Sequence, residues 1–157
     1  MGFMEAVRTA VMHRYADFQG RSRRMEYWMF QLLNVLITLV GVVLLVASGF
    51  SLEQLMTMEE TGEFPDIGAL GWVGLAIIVL WSLFVLIPNI AVVIRRLHDR
   101  DMSGWWYLGL VIAGIIPLVG WLASLALLVL MLLPGTDGEN RFGPDPKGVG
   151  LASEIYD

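Results

Sequence analysis

His98 and Asp99 are the adjacent pair in this chain that carries the ingredients of acid–base chemistry, an imidazole that titrates near neutrality and a carboxylate to orient it. They sit in Arg95-Arg96-Leu97-His98-Asp99-Arg100-Asp101, which packs five charged residues and a histidine into seven positions. A metal-dependent hydrolase of the HD type needs several more histidines, and His13 is the only other one. Cysteine is absent, which excludes thiolate nucleophiles, disulfides and Cys-based metal sites. No metal, no cofactor and no catalytic residue is therefore expected, and the pair reads first as loop structure. The arginines point to different chemistry, because a planar guanidinium fork matches phosphate and carboxylate. If their segments meet, Arg21, Arg23, Arg24, Arg95, Arg96 and Arg141 surround Glu26, His98, Asp99 and Asp145, with Asn140 beside them. Such a cluster is either a site for anionic lipid headgroups or an ion-pair network that locks helix ends together. In the second case Glu26 and Asp99 pair with arginines across helices, and a strap from Asn140 to Asp145 closes over them.

The elements that must position these groups follow from where the charges lie. All 25 charged residues fall in four blocks, Glu5 to Glu26, Glu53 to Asp66, Arg95 to Asp101 and Asp137 to Asp157. The intervening runs of 26, 28 and 35 uncharged residues each exceed the roughly 20 that a spanning helix needs. The sequence thus predicts an all-α, polytopic membrane protein with three to four transmembrane segments in a single domain, residues 1–146, followed by a flexible tail, 147–157. The net charge of −5 argues against nucleic acid as a partner. No short apolar core with a small-residue cleavage site opens the chain, so no removable signal peptide is expected.

Along the chain, Phe3, Val7, Val11 and Tyr15 recur at i, i+4 and are joined by Phe18, predicting an amphipathic helix over Gly2 to Phe18 at the membrane surface or against the body. The first span is expected at about 27–50. Arg21, Arg23 and Arg24 precede it, with Tyr27 and Trp28 as interface anchors, so this end is expected in the cytoplasm. The acidic stretch Ser51 to Asp66 has no Lys or Arg and reads as an outside loop. A second span, about 68–94, contains Pro88, which removes a helical hydrogen bond and predicts a kink near Phe84 to Asn89. The last apolar run is too long for one straight helix. Pro117 and Gly120 either bend a single tilted helix, leaving the C-terminus outside, or break the run into a hairpin of two segments, 104–116 and 117–133, which is the favoured reading and returns the C-terminus to the cytoplasm. Residues 134–146, with three Gly and three Pro, read as a turn-rich strap.

Three separated motifs then line up in order: Phe18-Gln19-Gly20-Arg21 with Arg24, Glu26, Tyr27 and Trp28; Arg95-Arg96-Leu97-His98-Asp99 with Ser103, Gly104, Trp105 and Trp106; and Pro134-Gly135-Thr136 with Gly138 and Asn140-Arg141-Phe142-Gly143-Pro144-Asp145-Pro146. Together they resemble the YhaH/YhaI-like family of small bacterial inner-membrane proteins (domain of unknown function 805). The resemblance implies a multi-pass inner-membrane location and a helical fold, and carries no activity to transfer. The longer acidic loop, longer final apolar run and extra C-terminal tail depart from the family pattern.

Within the spans, Gln31, Asn34 and Thr38 share one helical face and Asn89 adjoins Pro88; none of them ionises. They fit interhelical hydrogen bonds better than an ion-driven pump, which usually carries an ionisable group in the span. Small-residue spacings (Gly68, Gly71, Gly74; Gly109, Ala113; Gly120, Ser124) permit close helix approach and a homo-oligomer or a partner membrane protein. The expected function is non-enzymatic: membrane lipid or a partner protein bound on an arginine-rich cytoplasmic face. The alternatives are a small channel or transporter near Asn34 and Asn89, and a lipid-headgroup enzyme using His98 and Asp99.

Overall fold

The structure is a computed structural model and describes residues 2–148; the expected tail falls mostly outside them. Helices run over Phe3–Arg8 (α1, continued by a π-helical turn Thr9–His13), Arg24–Ala47 (α2), Leu52–Thr61 (α3), Gly68–His98 (α4), Trp105–Gly114 (α5) and Val119–Leu132 (α6). Among the described residues there is no strand, only an isolated bridge between Asn140 and Gly143. The fold is all-helical, as the charge blocks predict.

Two of these helices, α2 and α4, are long and apolar enough to cross a bilayer, with mean hydropathy of 2.5 and 2.7 in their most apolar stretches. Only 11% of that stretch in α2 and 28% in α4 is buried by protein. A core helix of a soluble protein would be covered; a surface this apolar and this bare is stable only against lipid. Helices α5 and α6 pack on each other as a hairpin. At 10 and 14 residues they extend roughly 15 and 21 Å, short of the ~30 Å hydrocarbon core. The turn between them exposes the apolar side chains of Ile115, Ile116 and Leu118.

Two compact units divide the chain: residues up to Phe30 with those from Ile87 onward, and Gln31–Leu86. In the second unit the helices cross at small residues. A Cβ at Gly74 would lie 2.6 Å from the Gly41 carbonyl oxygen, and one at Gly71 would meet Ile67 and Ser48. These glycines, candidates for self-association in the sequence, are thus filled by intramolecular contact. In the first unit Val93, Leu97 and Met131 form a core, packed against Tyr27, Trp28, Met102, Tyr107, Leu127 and Leu130.

Three local expectations need correction. The acidic stretch is not simply a loop: Ser51 caps helix α3 by accepting from the Gln54 amide, and Gln54 returns a bond to the Ser51 amide. The cluster Arg95 to Asp101 is not wholly a loop either, because Arg95, Arg96 and His98 form the last turn of α4, where cations suit the negative helix end. Helix α4 contains Pro88, which is buried, as the second span was expected to. The N-terminal helix stops at His13 rather than Phe18, because the Arg14 and Asp17 carbonyls, which further helix would have occupied, accept from Arg95. Its fully buried residues are Ala6 and Ala10 rather than the larger apolar ones.

Candidate functional site

A helix end leaves four carbonyls without intrahelical donors, and the polar end of the first unit is built around two such ends. At the end of α4, the Arg95 carbonyl accepts from the Ser22 amide at 3.1 Å, the His98 carbonyl from Asn140 Nδ2 at 2.9 Å, and the Asp99 carbonyl from the Thr136 amide at 2.8 Å. The 134–146 strap thereby caps α4. At the end of α6 the roles are exchanged: the successive carbonyls of Leu132, Leu133 and Pro134 accept from Arg24 (3.4 Å), Arg96 and Arg100 (3.1 Å). Each helix end supplies what closes the other.

Ion pairs lie beneath these caps. Asp99 accepts from Arg21 Nε at 3.0 Å through one oxygen and from Arg96 through the other. Arg95 donates to Glu26 at 2.7 Å and, by another nitrogen, to the Arg14 carbonyl at 3.1 Å. Arg21, Glu26, Arg95, Arg96 and Asp99 are all buried. Charges so buried persist only when paired and hydrogen-bonded, and here main-chain carbonyls supply further acceptors, while the buried Nε of Arg95 and that of Arg96 have no partner among the described residues. Arg21 also donates to the carbonyls of Thr136 and Gly138, and Arg23 grips that of Pro146. The strap is therefore held by its backbone. Gly135 is required at its start, since a Cβ there would overlap the Asp99 carboxylate and carbonyl.

The aromatic side of the strap stacks on α4. Phe142 lies 3.9 Å from His98, ring centroid to centroid and nearly parallel, and the Arg141 guanidinium sits 4.9 Å over the other partner of that stack, Phe142. Arg141 is paired with Asp101 at 3.1 Å, both well exposed. Asp145 accepts from the amides of Lys147 (2.9 Å) and Gly138 (3.3 Å). The Lys147 amide first, and then the Gly138 amide with the nearby Arg21 and Lys147 charges, hold its carboxyl below the ordinary carboxylate value.

The residues matched by known proteins span most of this arrangement. Residues 15–144 match the family model described as a protein of unknown function (DUF805). The chain belongs to the DUF805 family. Inner membrane protein YhaH of Escherichia coli K12 is 38% identical over 137 residues, which cover 87% of this chain and 93% of that protein. Inner membrane protein YhaI of the same strain is 36% identical over 138 residues, 88% of this chain and 92% of its own. No solved structure matches. This DUF805 protein is accordingly a multi-pass inner-membrane protein.

Of the residues singled out in the sequence, Arg21, Arg24, Glu26, Arg95, Arg96, His98, Asp99, Asn140, Arg141 and Asp145 all fall in the first unit of this DUF805 chain. His98 and Asp99 do not form a dyad: His98 Nδ1 faces the Gly20 carbonyl at 3.1 Å, while the Asp99 carboxylate belongs to two arginines. Gln31 and Asn34 lie in the second unit, where Asn34 donates to Gln31 at 3.2 Å; Asn89 lies in the first. The sequence reading missed Arg100, Thr136 and Phe142 as members of the cluster. Arg100 had a signal, its position four after Arg96 on the same side of a helix end. Thr136 and Phe142 act through a main-chain cap and a ring stack, which leave no charge pattern to read.

Proposed function

We propose that this DUF805 protein is a non-enzymatic membrane protein that binds headgroups of anionic phospholipids through Arg24, Arg96 and Arg100 on the cytoplasmic side. The observation behind the reading is the convergence of those three guanidinium groups on the carbonyls of Leu132, Leu133 and Pro134. Their charge is incompletely answered: Arg24 and Arg100 both repel Arg96, and the carboxylate facing it, Asp99, is shared with Arg21. A phosphate lodged between Arg24 and Arg100 would relieve that repulsion. Arg24 is exposed and Arg100 half-buried, with a buried Nε that has no partner among the described residues, so donors remain for it. Arg21 and Arg95 act in this reading as structural ties, with all three nitrogens of Arg21 and both terminal nitrogens of Arg95 already on protein acceptors. The run Arg21, Arg23, Arg24 directly before a span favours the cytoplasmic side. An acid–base role for His98 is disfavoured because Asp99 does not orient it.

The test is native mass spectrometry of the detergent-purified chain with cardiolipin, phosphatidylglycerol or phosphatidylethanolamine. Both anionic lipids should be retained over the zwitterionic one. The pair Arg24→Gln and Arg100→Gln should lower that retention by about tenfold or more, the equivalent of one charge-assisted hydrogen bond, while Arg8→Gln on α1 leaves it unchanged. Equal retention of all three lipids, or none lost in the double variant, overturns the reading.

A further inference from the structure

We infer that a second site, independent of the arginines, lies on the opposite face of the end of α4 and takes the hydroxyl-bearing end of a neutral lipid. Ile90, Ile94 and His98 are four residues apart and share one face of the helix, with Arg96 on the other. With Phe18, Trp105 and Leu108 they line a cavity of about 440 Å³, within the range of small-molecule sites.

The polar chemistry of this cavity is narrow. A carbonyl can only accept, so the 3.1 Å contact with the Gly20 carbonyl places the proton of neutral His98 on Nδ1. Nε2 then presents a lone pair, and no described residue donates to it. Ser103 also lines it, its oxygen accepting from the Trp105 amide at 3.4 Å and its O–H left to donate, and the Trp105 indole N–H is a further donor at the rim. An acceptor and a donor in an otherwise apolar pocket fit a hydroxyl group, which both donates and accepts. They do not fit a phosphate, because no arginine or lysine lines the pocket. The ring of His98 is fixed for this purpose by its stack on Phe142. The source is the bilayer: Ile90 lies within the spanning helix α4, and Trp105 is 76% exposed beside it, a tryptophan suited to headgroup level. The hydroxyl end would sit at His98, with the apolar chain running along Ile90 and Leu108 into the hydrocarbon.

The experiment uses the full chain in detergent and native mass spectrometry with dioleoylglycerol, with its acetylated analogue in which the hydroxyl is capped, and with decylubiquinol as a phenolic hydroxyl. Dioleoylglycerol should be retained about fivefold or more over the acetylated analogue, the equivalent of one neutral hydrogen bond. Stronger retention of decylubiquinol than of dioleoylglycerol would support the same site and assign a phenolic source. His98→Phe keeps a ring for the stack and removes the acceptor, and should abolish the preference for the free hydroxyl. Leu108→Trp fills the pocket from an exposed position that takes no part in the polar cluster, and should lower retention of both hydroxyl lipids. It also carries the test if His98→Phe does not fold. Equal retention of the capped and free lipids, or unchanged retention in Leu108→Trp, overturns the inference.

Discussion

Replacing Asp99 with asparagine tests whether the buried charges hold the polar end together. The Asp99 side chain is 5% exposed, and its partners Arg21 and Arg96 are 1% and 0% exposed. Exposed ion pairs contribute less than about 1 kcal/mol, whereas removing one member of a buried pair costs roughly 3–5 kcal/mol, because the partner is left charged and desolvated. Asp99→Asn leaves two guanidiniums in that state, although the amide oxygen still accepts one hydrogen bond, so a loss of about 3 kcal/mol is expected; Asp99→Ala should reach about 5 kcal/mol. The matched control is Asp101→Asn at the exposed pair with Arg141, where the expected cost is below about 1 kcal/mol. Unfolding by sodium dodecyl sulfate in mixed micelles, followed by tryptophan fluorescence, reads the stability. Hydrogen exchange at the Thr136 amide reads the strap, and exchange there should accelerate in Asp99→Asn, because that amide donates to the Asp99 carbonyl. Equal costs at the two aspartates, with unchanged exchange at Thr136, would refute the reasoning.

Gly135→Ala should cost about 1–3 kcal/mol by overpacking against Asp99 and should release the strap, visible as faster amide exchange from Thr136 to Gly143. In the second unit, Gly74→Ala should cost a similar ~1–3 kcal/mol through its clash with the Gly41 carbonyl, whereas Gly109→Ala, with open space around it, should be neutral or stabilising by up to about 1 kcal/mol; the same detergent unfolding assay compares them. Asp145 predicts an acid-sensitive turn. Its carboxyl is held below the ordinary value in the folded chain, so its contribution is complete above that ordinary value, fades from about pH 4 downward, and is gone once the pH passes below the lowered one. Amide shifts of Gly138 and Lys147 followed through an acid titration should move together with this carboxyl, and Asp145→Asn should remove the transition.

The charge blocks made the membrane helices legible, because 26 and 28 uncharged residues in a row have few other uses. Pro117 and Gly120 likewise marked the turn that falls between α5 and α6. Helix α3 went unread although its Ser51–Gln54 capping box was present, because the net charge of the stretch was weighed above its local spacing. The end of α4 was misplaced because charge was equated with loop, whereas a helix C-terminus attracts cations. The arginines of the cluster were readable, and their main partners were not. Arg21, Arg23, Arg96 and Arg100 donate to main-chain oxygens of the strap and of the end of α6. Every residue carries such an oxygen, so no side-chain pattern announces which ones are used. The missing dyad has the same origin, since adjacency in sequence placed Asp99 next to His98 while the helix turned its carboxylate toward Arg21 and Arg96.

Because the grip on residues 132–146 is on peptide oxygens, the segment is measured by its length and its bends more than by its lettering. Asp137 and Glu139, whose side chains point to water, are free to be rewritten, and a charge reversal there should pass without notice. One residue inserted or deleted between Pro134 and Gly143 would instead slide the carbonyls that follow it, that of Pro146 among them, past the nitrogens that wait for them. The molecule reads this stretch as a ruler.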